Sequence, residues 1–160
     1  MEFNFLAVLV AAFTPLFIGF IWYSDQVFGT IWMREAGLVK DDMKKGSMIK
    51  ILGLTFIFSF LISFFMQFIV IHQNGAISAA MDIKNVDSSV LENYLNAYGN
   101  TYRTFKHGAL HGLLASIFFA IPVVTINALF ERKSWKYIAI HAGYWIITLM
   151  VVGAIICGWV

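Results

Sequence analysis

Gly108 to Phe130 reads GALHGLLASIFFAIPVVTINALF, 23 residues without a formal charge. A helix needs about 20 apolar residues to cross a hydrocarbon core of about 30 Å. In lipid every backbone N–H and C=O must find its partner within the protein, so such a run is helical. Working outward, three more runs share this character: Phe3–Tyr23, Ile49–Ile71 and Tyr137–Val160, of 21, 23 and 24 residues. Lys50, at the start of the second, is the only Asp, Glu, Lys or Arg in these three. A membrane β-barrel would alternate apolar and polar residues over segments of about ten. Ile51-Leu52-Gly53-Leu54-Thr55-Phe56-Ile57-Phe58 does not alternate. The sequence therefore predicts an all-α integral membrane four-helix bundle. Its spans fall at about 3–23, 49–71, 108–130 and 137–160, with an outer loop at 72–107, all in a single membrane domain 1–160.

Composition agrees. The 160-residue chain is 60% hydrophobic and 12% charged, about half the charged share of soluble domains, and its mean hydropathy is +0.78. These values exclude a disordered chain and a disulfide scaffold and set the protein apart from ordinary soluble enzymes. A net charge of +2 gives no nucleic-acid footprint. The single cysteine, Cys157, sits in an apolar run and reads as a small packing residue. The first run lacks the positive start and small-residue cleavage site of a signal peptide. It is expected to remain as a span.

Lysine and arginine set the expected orientation. Arg34, Lys40, Lys44, Lys45 and Lys50 lie between the first two runs, and Arg132, Lys133 and Lys136 between the last two. The middle loop holds Lys84, Arg103 and Lys106. This bias places the first and third connections in the cytoplasm. Both termini and the middle loop then face outward, in the periplasm if the membrane is a bacterial inner membrane. Within the connections, Gln26–Ala36 predicts a short interfacial helix ended by Gly37, and Asp41 or Asp42 is expected to cap the next helix. Ser89-Val90-Leu91-Glu92 is a capping-box pattern that opens a short amphipathic helix ended by Gly99.

Lipid tails compete with apolar side chains, so spans associate through small residues and polar contacts. Ala7, Ala11, Pro15 and Gly19 recur every four residues in the first span, and Gly108, Gly112, Ser116 and Ala120 in the third. Such stripes form a seam inside one bundle or between subunits; the first is the more economical reading. Pro15 and Pro122 each remove a helical donor and should bend their spans. Gln67, Thr125, Asn127 and Thr148 are expected to lie inside the bundle and hydrogen-bond between helices, with Asn127 placed to bond a carbonyl freed by Pro122.

No charged residue falls in the middle of a span, which argues against an ion-coupled transporter of the usual kind. The histidines offer more. His107 and His111 are spaced i, i+4 and so share a helix face, while His72 closes the second span at the same depth. Three imidazoles at one level could bind a transition metal or relay protons. The more economical reading is structural, with His72 and His107 at the interface and His111 hydrogen-bonding across the bundle. His141 lies at the other end of the bundle. No nucleophile elbow, phosphate loop, zinc-protease helix or dinucleotide fingerprint is present, and no catalytic or cofactor-binding residue is assigned. A metal on the three imidazoles is the one cofactor the residues allow.

Two further motif groups carry a resemblance. Gly19-Phe20-Ile21-Trp22-Tyr23-Ser24 is followed by Phe28-Gly29-Thr30-Ile31-Trp32-Met33, and Asn127-Ala128-Leu129-Phe130-Glu131-Arg132-Lys133-Ser134 by Gly143-Tyr144-Trp145. These resemble a bacterial membrane family known as domain of unknown function 1761. The resemblance implies a small four-span inner-membrane protein, and it carries over no catalytic residue. The positions that match are Trp22, Tyr23, Ser24, Phe28, Gly29, Trp32, Asn127, Gly143, Tyr144 and Trp145. The leading functional expectation is a non-enzymatic structural or accessory subunit of a membrane complex. Its partners would be membrane lipid, further copies of itself or a larger complex. A small-solute channel and a metal or redox module are the alternatives.

Overall fold

A computed structural model describes residues 4–41, 47–82 and 88–160. These residues form helices and connecting turns, with no strand among the described residues. The first span is α1 (Phe5–Ala12) and α2 (Thr14–Trp22), and the short α3 (Gly29–Ala36) follows it. The second span is α4 (Met48–Val70), and α5 (Gln73–Asp82) and α6 (Ser88–Tyr98) fill the long loop. The third span joins α7 (Phe105–Ala115), a π-helical turn (Ser116–Ala120) and α8 (Ile121–Phe130). The fourth is α9 (Trp135–Gly158).

Among the described residues, four continuous helical stretches are long and apolar enough to cross a membrane: Phe5–Trp22, Met48–Val70, Phe105–Phe130 and Trp135–Gly158. At about 1.5 Å per residue they extend roughly 27, 35, 39 and 36 Å, against a hydrocarbon core of about 30 Å. Their outward faces are apolar, with Phe20, Ile49, Phe118 and Phe130 among the most exposed large side chains. That surface suits lipid as the solvent.

The ends of the spans follow local chemistry. Asn4, Ser47, Thr104 and Ser134 each cap a span by accepting a backbone N–H, from Ala7, Lys50, His107 and Tyr137. Ser47, rather than Asp41, caps α4; a side-chain oxygen works only directly before the first helical residue, and Asp41 stands seven positions ahead. Asp42 lies outside the described residues. Helix α6 begins at Ser88, so Ser89 is already inside it and is not its cap. Gly37, at φ 78°, closes α3 in the left-handed conformation that glycine adopts without strain.

The prolines are absorbed without a break. Span one has a single-residue turn at Phe13, and Pro15 enters α2 in its first turn, where its missing donor removes no helical bond. In span three the π-helical turn directly precedes Pro122. The wider turn there accommodates the ring and its missing N–H.

Helix α9 is the hub and packs against α1, α2, α3, α4, α7 and α8. Its closest partner is α7, through a seam of glycines. A Cβ on Gly108 would overlap the Gly153 carbonyl, one on Gly112 the Leu149 carbonyl, and one on Gly153 the Gly108 carbonyl. Beyond them, the Ser116 hydroxyl lies 2.9 Å from the Gly112 carbonyl and 3.1 Å from the Trp145 carbonyl of α9. On span one, Ala7, Ala11 and Pro15 are buried, and Gly19 leaves room for the Tyr144 ring. Ala120 is half-buried. Cys157 is fully buried and points its thiol at the Val70 carbonyl, 3.4 Å away.

Asn127 departs from expectation. Its side chain is exposed on α8, whereas the next residue, Ala128, is buried. Successive helical residues turn by about 100°, and the rotation of α8 about its axis puts Ala128 inside and Asn127 outside. Gln67 and Thr148 are buried, and Thr125 is half-buried. At the same end, Lys133 donates to the Ala36 carbonyl at 3.0 Å and Ser134 to Glu35 at 2.6 Å. The Ser134 hydroxyl, with Arg34 beside it, holds the Glu35 carboxyl below the usual carboxylate range.

The seam makes a direct prediction. Gly112→Ala forces the α7 and α9 backbones apart and should lower stability by about 1–3 kcal/mol, with Gly112→Leu worse. Gly53→Leu, whose added Cβ meets nothing within 4 Å, should melt like the native protein in detergent. Equal melting temperatures for all three variants would disprove the seam.

A candidate metal centre at the histidine end

The bundle has two chemically distinct ends. At one, the α4–α5 junction meets the start of α7. His72 follows Ile71, the residue that closes α4 in an extended conformation. Thr104 fixes the start of α7, its hydroxyl accepting the His107 N–H at 3.1 Å. His107 and His111 then present one face of the first turns, and the glycine seam holds that helix against α9.

The three imidazoles converge. His72 Nε2 and His107 Nε2 are 2.9 Å apart, which is a hydrogen bond when one ring nitrogen carries the proton. Ring centroids lie 5.0 Å (His72–His107), 4.9 Å (His72–His111) and 4.5 Å (His107–His111) apart. One nitrogen from each ring falls within 4.8 Å of the others. Two nitrogens on a tetrahedral zinc-like ion at about 2.0–2.1 Å are separated by roughly 3.3 Å. The His72–His107 pair would open slightly and the widest pair would close, both within reach of side-chain torsions. Three neutral nitrogen donors without a carboxylate suit a borderline transition ion rather than calcium or magnesium.

The long loop builds a wall around this point. Gln73 Nε2 donates to the Tyr98 carbonyl at 2.8 Å and to the Thr101 carbonyl at 2.9 Å, which ties α5 to the end of α6. Asn74 donates to the Gln67 carbonyl at 3.0 Å. Arg103 donates to the Cys157 carbonyl at 2.8 Å and so anchors the same strap to the last turn of α9. Between these two ties Tyr102 adopts φ 64°, an uncommon conformation for a bulky residue. Its ring stacks on His107 at 5.1 Å and 22°. A pocket of about 250 Å³ opens here, lined by His72, Gln73, Tyr94, Tyr98, Thr101 and Tyr102.

The opposite end collects the aromatic motifs. Trp22 Nε1 donates to the Ile140 carbonyl at 3.0 Å, and a Cβ on Gly143 would touch the Trp22 ring. Gly29 sits where a Cβ would strike the Tyr23 and Ser24 carbonyls, and its own N–H donates to Ser24 at 2.8 Å. The Tyr23 hydroxyl pairs with His141 Nδ1 at 2.9 Å. Phe28 packs on Trp22, and Trp32 and Tyr144 pack on Tyr23. Tyr144 donates to the Pro15 carbonyl at 2.9 Å. Trp145 meets Ser116 through its carbonyl. Asn127 stays outside this cluster. The Tyr23–His141 contact escapes a sequence reading because 118 positions separate the partners. The only signal is that Tyr23 is itself a motif residue and His141 stands two positions before Gly143.

No curated protein and no solved structure matches the chain. The family model described as "Protein of unknown function (DUF1761)" matches residues 6–157. Its match spans all four apolar helices, both histidine-bearing ends and the aromatic motifs, and the chain belongs to that family.

Proposed function

We propose that this protein is a non-enzymatic accessory subunit of a membrane complex, and that it binds a transition metal through His72, His107 and His111. The convergence of three imidazole nitrogens within 4.8 Å carries this reading. Two of the ligands sit on a helix clamped by the glycine seam and the third on the neighbouring span. Binding would therefore tie α4 to α7 at one end of the bundle. Three protein ligands leave a position for water or a small ligand, and the pocket beside His72 gives such a ligand space. The seam brings the α7 and α9 backbones into contact, which works against a solute-sized lumen between those spans.

The location belongs to the same proposal. Eight of the 11 lysines and arginines lie at the Tyr23–His141 end or in the connections there. This favours a cytoplasmic basic end and a periplasmic histidine centre in a bacterial inner membrane.

Elemental analysis of protein purified without a polyhistidine tag or chelator should find close to one zinc or copper, or uptake of one on titration at neutral pH. His111→Ala should weaken uptake by more than the roughly 10–100-fold attached to losing an outer-shell partner. Because only neutral imidazole ligates, protons compete with the metal and binding should weaken progressively as the pH is lowered. Protein that carries no metal and takes none up removes the metal centre.

The orientation has its own test. With Cys157 replaced by Ala, cysteines placed at positions 40 and 133 should resist an impermeant thiol reagent in intact cells, and one at position 96 should react. The opposite pattern would invert the topology.

A further inference from the structure

The pocket beside His72 has walls that the histidine centre does not use. It is lined by His72, Gln73, Tyr94, Tyr98, Thr101 and Tyr102, and only the first of these belongs to the imidazole cluster. Gln73 is 3% exposed. Its amide is locked in one orientation, because Nε2 donates to the Tyr98 and Thr101 carbonyls at 2.8 and 2.9 Å. A flipped amide would set its oxygen against two carbonyl oxygens, none of which can donate. Oε1 is therefore a fixed acceptor, and it is buried with no hydrogen-bond partner among the described residues. A buried acceptor in that state is uncommon and calls for a partner from outside the protein.

The remaining walls are aromatic. Tyr94 and Tyr98 stand one turn apart on α6, their ring centroids 5.5 Å apart and their planes tilted by 44°. Tyr102 comes from the strap, where its backbone takes φ 64°, and its ring meets that of His72 edge-on at 6.2 Å and 82°. Backbone strain of this kind clusters at ligand clamps. The three tyrosines remain 37, 55 and 63% exposed, so a ligand can reach their rings. The face of such a ring attracts a cation held within about 6 Å of its centroid. Among the described residues no lysine or arginine lines the pocket to oppose a cation, and no carboxylate lines it to hold a hard metal ion. At about 250 Å³ it falls below the roughly 300–1,000 Å³ of pockets for drug-sized ligands. These walls suit a small organic cation that has a hydrogen to donate.

We propose that this pocket binds a primary alkylammonium group, with its charge against the Tyr94, Tyr98 and Tyr102 rings and an N–H donated to Gln73 Oε1. An alkylammonium keeps its charge at neutral pH, as a lysine side chain does. A quaternary ammonium satisfies the rings equally well but has no hydrogen for Gln73, so the orphan acceptor selects the primary amine. The pocket lies just past the residue that closes α4, which puts it at the level of lipid headgroups. Two sources carry the same chemical group there: the ethanolamine headgroup of a phospholipid and a soluble amine. The site needs no metal on the three histidines and stands or falls separately from that centre.

The test is a ligand-observed NMR titration of the protein in maltoside micelles, which carry no ammonium group. Ethanolamine should bind more tightly than ethylene glycol, its neutral counterpart of similar size, and more tightly than choline. Tyr98→Leu keeps an apolar side chain and removes the ring. It should weaken ethanolamine about fivefold, equivalent to roughly 1 kcal/mol for one ring. Tyr98→Phe keeps the ring and should bind like the native protein. Melting temperature and zinc uptake, measured on the same samples, report folding and the histidine centre independently. Displacement of ethanolamine by phosphatidylethanolamine, but not by phosphatidylglycerol, identifies the lipid headgroup as the source; undiminished binding in both lipids identifies a soluble amine. Equal affinity for ethanolamine and ethylene glycol overturns the cation site, as does a folded Tyr98→Leu variant that binds like the native protein. Choline binding more tightly than ethanolamine overturns the selection by Gln73.

Discussion

Contact between the α7 and α9 backbones is the constraint on which the other features rest. In lipid, helices gain little by exchanging apolar contact with tails for apolar contact with one another. Close approach and polar contacts must make the difference. Gly108, Gly112 and Gly153 supply the approach, each occupying a place where a Cβ would meet a carbonyl of the facing helix. Ser116 adds a hydroxyl that reaches across to α9. Once α7 is fixed in depth and rotation against α9, the face bearing His107 and His111 has no freedom left. It meets His72 because α4 packs on both helices.

The long loop serves the same end. Gln73 and Arg103 tie it to α6 and to the last turn of α9. The residue between those ties, Tyr102, takes a conformation that tyrosine seldom adopts. Strain of this kind persists where the surroundings impose it. Here it lays an aromatic ring on His107 and leaves a pocket open beside His72. The other end is built differently: tryptophan and tyrosine rings close over the Tyr23–His141 pair.

What could be read from the sequence follows from the range of each signal. Span character is local and intense, so four uninterrupted apolar runs determined the architecture. Spacing of four on one helix is also local, which made the His107–His111 pair and the Gly108–Gly112 stripe visible. Rotation of a helix about its axis is a tertiary property. Asn127 reads as interior because it is polar within a span, yet the rotation of α8 buries Ala128 and leaves Asn127 exposed. Helix α5 gave no warning, since Gln73–Asp82 is neither strongly apolar nor strongly patterned and is held by contacts to distant carbonyls. The cap of α4 was misplaced because aspartate and serine cap equally well. The start of the helix, seen only in three dimensions, decides between them.

The unsatisfied interior atoms pose a problem of energetics that packing alone does not answer. Leaving a buried polar atom without a partner costs about 1–3 kcal/mol, and six such side-chain atoms occur among the described residues. Alanine or valine at Ser63 and Thr148 would fill nearly the same volume without that penalty. A dry bundle selected for stability would have little reason to keep them polar. Water between the side chains removes the penalty, since a buried water makes about three hydrogen bonds to groups of this kind. The two faces of one helix carry different burdens: the α7 side brings two backbones together over glycines, and the α4 side packs Leu149, Val152 and Ile156 in one apolar cluster with Met66, Val70 and Ile71.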